Sequence, residues 1–120
     1  MGIKRKRDPL ARLPLKEVEL LILLCLNTRP QHGYALLTAV AEASDQLVTP
    51  GPASLYRVLG ELRDEGLVDE VAGDDPSDDA RRRYYAVTEF GEAVLRAELG
   101  RLSNLLRRAR SFGVRYGTGG

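Results

Sequence analysis

The residues of this chain best suited to chemistry follow the turn Thr49-Pro50-Gly51-Pro52. Leu55, Val58, Leu59 and Leu62 recur at i, i+3, i+4 and i+7, so an amphipathic helix is expected over Ala53–Glu65. Its other side offers Ala53, Ser54, Arg57, Gly60, Glu61 and Asp64. The leading residues are small or hydrogen-bonding, which lets a helix start approach base edges in a DNA groove. The free N–H groups of a first turn also attract phosphate. The trailing half, with Glu61, Asp64 and Glu65, is acidic and should point away from a duplex.

Further positive charge lies in two places. Arg81, Arg82 and Arg83 stand on a returning strand, where alternation puts Arg82 on the face opposite Arg81 and Arg83. Two roles fit them: contact with phosphate, and neutralisation of Asp74, Asp75, Asp78 and Asp79 in the preceding loop. Those aspartates would be repelled by phosphates, so the loop tip is expected to stay out of the groove. Lys4, Arg5, Lys6 and Arg7 form a basic arm that could follow a minor groove or simply be solvated. Residues 1–12 carry a net charge of +4 and residues 101–120 of +5, leaving −8 for residues 13–100 in a chain of net +1. Any polyanion contact therefore draws on basic ends set about an acidic middle.

Catalytic and metal chemistry find no footing. His32 is the sole histidine and Cys25 the sole cysteine. There is no Cys/His cluster, phosphate-cradling glycine loop or nucleophile–base pair, so no enzyme and no cofactor are expected. One cysteine cannot make an intrachain disulfide, and in its apolar run Cys25 reads as a buried structural thiol of a reducing compartment. No signal peptide is visible, and Leu20–Leu26 is too short to span a bilayer. A cytoplasmic protein with no membrane contact is expected.

The elements that must hold these residues can be read in order. A flexible basic arm is expected over residues 1–13, with Pro14 opening a helix over Lys16–Leu26. That helix is apolar on nearly every side, more than a small monomer can cover. Asn27-Thr28-Arg29-Pro30 breaks it. A second helix follows over Gly33–Asp45, with Tyr34, Leu37, Val40 and Ala41 on one face. Gly66 ends the third helix. Strands Leu67–Val71 and Arg82–Val87 make a hairpin, and Thr88 caps a last helix running to about Arg110 before a tail over 111–120. The fold class is mainly α: a three-helix winged helix-turn-helix over 14–88, with a two-stranded wing, then a long C-terminal dimerisation helix over 89–110.

Four segments resemble the PadR family of transcriptional regulators, and its short-tailed subfamily in particular. They are His32-Gly33-Tyr34-Ala35-Leu36, Thr49 through Leu59, Leu62 through Val68, and Arg81 through Gly91. The resemblance implies a dimeric repressor, and some members sense small hydrophobic effectors. It also puts Thr49, Ser54, Tyr56 and Arg57 at the DNA surface. The residues themselves support Ser54 and Arg57. They suggest that the Tyr56 ring packs beside Leu59 while its hydroxyl reaches a phosphate.

In the last helix Leu95, Leu99, Leu102 and Leu106 are spaced 4, 3 and 4, an a/d seam that can pack on a second chain. With the surplus apolar surface of the first helix, including Leu20 and Leu24, this predicts a homodimer. Two recognition helices would then meet an inverted repeat of double-stranded DNA. An effector pocket would lie among Leu20, Leu24, Leu95, Leu99 and Leu102, which equally suit plain core. The competing reading is a winged-helix protein-interaction module, favoured by the acidic middle.

Overall fold

The computed structural model describes residues 7–72 and 83–117. At its centre is α1 (Glu17–Leu26), whose Leu21, Ile22, Leu23 and Leu26 are buried. Helices α2 (Gly33–Ala43), α3 (Pro52–Asp64) and α4 (Glu89–Ser111) all pack against it. The core joins these residues to Leu36 and Val40 of α2, the expected quartet Leu55, Val58, Leu59 and Leu62 of α3, and Val94 and Leu95 of α4. Leu24 remains exposed, so one chain covers most but not all of the first helix.

Helix ends follow local chemistry. After α3, Gly66 takes φ +79°, its N–H bonds to the Arg63 carbonyl at 2.9 Å, and the Leu67 N–H bonds to the Leu62 carbonyl at 2.9 Å. This paired closure needs a left-handed residue, which glycine supplies without a Cβ penalty. Helix α2 closes by the same pattern, Asp45 N–H to Glu42 and Gln46 N–H to Ala41, but with Asp45 at φ 52° and Gln46 at φ 66°. Thr88 caps α4 as expected: its hydroxyl oxygen accepts the Gly91 N–H at 2.9 Å and its O–H donates to the Gly66 carbonyl at 2.7 Å. That second bond ties the start of α4 to the exit of α3.

Three expectations change. The wing has a third strand. Besides β2 (Val68–Val71) and β3 (Tyr84–Val87), Gln31–His32 forms β1, which pairs antiparallel with the free edge of β3 to give the order β1-β3-β2. Two residues are too few to show an alternating pattern in sequence. Tyr34 does not line the core face of α2; it is 71% exposed, and the buried face is Gly33, Leu36 and Val40, one residue out of phase.

The N-terminal arm also differs within its described part. Pro9–Arg12 is a 3-10 turn that packs against α4, and Leu13 and Leu15 after it join the core. The Arg12 guanidinium pairs with Glu65 at the end of α3 and with Glu19 of α1, the latter at 2.6 Å. The Leu15 N–H donates to the buried Glu98 carboxylate of α4 at 2.8 Å, and the Lys16 N–H donates to Glu19 at 2.8 Å. Arg7 stacks over the Phe90 ring at 4.0 Å. Buried carboxylates require such partners, and here they fix the segment in place. Helix α1 consequently starts at Glu17, not in the turn opened by Pro14.

Candidate nucleic-acid interface

The apolar stripe of α3 is sunk in the core, so its opposite side is presented to solvent along its length. Ala53, Ser54, Tyr56 and Arg57 are exposed, as is Thr49 in the turn that leads in. Pro52 occupies the first helical turn and Gly51 the cap position without a side-chain bond, which leaves the leading N–H groups uncapped by side chain.

Tyr56 is held from the neighbouring helix. A Cβ at residue 33 would stand 2.2 Å from the Tyr56 hydroxyl oxygen, so the ring end occupies the space that Gly33 leaves at the start of α2. The ring end packs against the start of α2, and the residue stays 42% exposed. The same end of α2 is capped by His32, whose Nδ1 accepts the Ala35 N–H at 3.2 Å while its ring meets Tyr84 edge-on at 5.4 Å. β1, the start of α2 and the start of α3 therefore form one connected surface. The helix start bearing His32 was visible in sequence; the Gly33–Tyr56 contact was not, because residues 23 apart carry no local signal.

Arginine chemistry on this side is paired. Arg57 Nη1 lies 3.0 Å from Glu61 Oε1 one turn on. Glu70 of β2 accepts from Arg63 of α3 at 2.6 Å and from Arg83 at 3.2 and 3.3 Å, binding the wing to the helix. Burial, and then the Glu70 charge, push the phenol of Tyr85 on β3 up. Sequence reasoning passed over Glu70 entirely and read Glu61 only as part of an acidic half.

Of the other expected contacts, Lys4, Arg5 and Arg81 lie outside the described residues, as do Arg82 and the aspartates of the loop. On α4, Leu95 is 4% exposed and belongs to the core of its own chain, which removes it from a surface seam. Leu20 and Leu102 are half-buried, whereas Leu24, Leu99, Leu105 and Leu106 are exposed. Beyond Glu98 no residue of α4 is buried. Cys25 is half-buried, and burial raises its thiol above the usual range. Among the described residues no group of His, Cys, Asp and Glu could hold a metal ion, and no helix is long and apolar enough to cross a membrane.

Among the described residues, four α-helices, the third of them facing outward, and a small three-stranded antiparallel sheet define a winged helix-turn-helix protein. The sequence profile of the transcriptional regulator PadR-like family matches residues 22–97, and the chain belongs to that family. Members of the family are transcriptional regulators, not enzymes. The fold is similar to that of a PadR family transcription regulator from hypervirulent Clostridium difficile, at 19% identity over 82% of this chain and all of that one, with a TM-score of 0.70. It is also similar to Bacillus subtilis PadR in complex with operator DNA, at 22% identity over 72% of this chain and 47% of that one, with a TM-score of 0.61. In sequence the chain is 29% identical over 89 residues to an uncharacterized transposon protein of Streptomyces fradiae, of whose length it spans 24%.

Proposed function

We propose that this protein binds double-stranded DNA sequence-specifically as a homodimer and represses transcription from an inverted-repeat operator. The observation that carries the reading is α3: its apolar stripe is buried while Ser54 and Arg57 stand at its solvent-facing leading half. A helix so placed can enter a major groove, where arginine reads guanine edges and Thr49 and the Tyr56 hydroxyl suit phosphate. The B. subtilis relative, solved with operator DNA, supports the same use of the fold. Arg83, Arg81 and the arm residues Lys4 and Arg5 supply backbone contacts in this reading.

Dimerisation is supported by the bare C-terminal half of α4. Leu99 and Leu106 of α4 and Leu24 of α1 are exposed, and Leu102 and Leu20 half-buried, apolar surface that a second copy would cover in this reading. A small hydrophobic effector would enter between α1 and α4 of the paired chains and alter the spacing of the two recognition helices. The protein acts in the cytoplasm in this reading.

Selection of bound duplexes from a random pool tests the proposal. An inverted repeat with half-sites about one helical turn apart is expected, and Arg57→Ala should weaken binding to the selected site by about 1–3 kcal/mol. Selection without a recoverable sequence, combined with unchanged affinity of Arg57→Ala, would leave the winged helix as an interaction module.

A further inference from the structure

Resting on the DNA-binding reading, we infer that Glu61 and Glu70 act as intramolecular stand-ins for the acceptors of DNA, a base edge for Arg57 and a phosphate for Arg83, holding both arginines in the free protein so that only a docked operator exchanges them away. Three observations converge. Arg57, at the centre of the exposed face of α3, is held by Glu61 at 3.0 Å in an i,i+4 pair. Arg83, directly before β3, is held by Glu70. Glu70 simultaneously holds Arg63 at 2.6 Å, so one carboxylate serves two guanidinium groups, one from α3 and one from the residue before β3.

The pairs are built to open. The Arg57 and Glu61 side chains are 63% and 46% exposed, so solvent and salt screen their attraction and little resists their separation. A carboxylate offers guanidinium the same oxygen acceptors as a phosphate. On an arbitrary duplex these arginines stay with their carboxylates and contribute no released counterion. On an operator, docking of α3 brings a base edge to Arg57, and the guanidinium changes partner. The two glutamates thereby set how much of the protein is spent on random DNA.

The test is a set of binding isotherms on a random-sequence duplex across a range of salt concentrations. Glu61→Gln keeps size and helix propensity and removes the charge. It should tighten random-duplex binding by roughly two- to fivefold and steepen the dependence of log K on log salt by about 0.9. In an Arg57→Ala background the same substitution should do neither. Glu70→Gln should act in the same direction and lose its effect in an Arg63→Ala/Arg83→Ala background. Equal tightening with and without Arg57 would overturn the inference, because Glu61 would then act only as a repelling charge. Unchanged random-duplex affinity of Glu61→Gln, with a wild type that does bind its selected operator, would overturn it as well. If wild type shows no salt-dependent duplex binding of any kind, the failure lies with the DNA-binding reading beneath.

Discussion

Tyr56 keeps its place against the start of α2 because residue 33 has no side chain. Gly33→Ala puts a methyl group on the hydroxyl end of the ring, and since that end belongs to a side chain, the ring moves and the backbone does not. The variant should remain folded yet lose operator affinity to about the extent of a Tyr56→Ala chain, measured by titration with the selected duplex. Equal affinity of Gly33→Ala and wild type would remove Tyr56 from the contact. Glu98 shows what a buried carboxylate needs. The Arg101 side chain, against the opposing effect of burial and with help from the Leu15 N–H, holds its carboxyl below the ordinary carboxylate range. A group depressed on folding stabilises above its unfolded pKa and loses that contribution as pH falls through the folded value. Glu98→Gln should therefore cost about 1–2 kcal/mol near neutral pH, with the gap from wild type closing in acid. Denaturant melts along a pH series check it, and a gap constant into acid would exclude the carboxylate as its source.

At the scale of elements, the joint between α2 and α3 is the least relaxed. Two consecutive residues, Asp45 and Gln46, hold left-handed backbone at the close of α2, where α3 ends on glycine for the same hydrogen-bond pattern. L-residues pay sterically for that region, aspartate less than most. Asp45→Gly is expected to raise stability by about 0.5–1 kcal/mol by relieving that cost, offset in part by the freer unfolded chain. Thermal unfolding decides it, and destabilisation would mean that the Asp45 side chain contributes to the joint. Local signals placed most elements well. The stripe of α3, the glycine stop at Gly66 and the Thr88 cap are short-range features and were legible. β1 was not, because its two residues become a strand only when β3 lies beside them. Nor was the exposure of Tyr34, since a three- or four-residue period leaves the phase of a short helix uncertain by one position.

For the molecule as a whole, the proposed dimer rests on the half of α4 beyond Glu98, which its own chain leaves unburied. Leu106 is 50% exposed and lies past the last buried residue of its helix, so charge there should not disturb the single chain. Leu106→Asp is expected to give a folded monomer with wild-type helical content by circular dichroism and half the mass by sedimentation. Operator affinity should then fall steeply, as two half-sites can no longer be held together. A normal dimer would place the interface elsewhere. Leu95 shows the limit of the heptad pattern: it shares the seam spacing, but it lies where α4 still covers α1, and its own chain buries it.

Sequence alone determined the order of the four helices and the β2–β3 hairpin, the buried stripe of the third helix and its bare leading edge, because periodicity, capping and turn chemistry act within a few residues. Tertiary structure decided what meets across long separations: Leu15 with Glu98, Arg12 with Glu65, Gly33 with Tyr56, and Glu70 with both Arg63 and Arg83. Those contacts exist only once packing has fixed the distances between elements, and buried charges and close approaches are settled by distance.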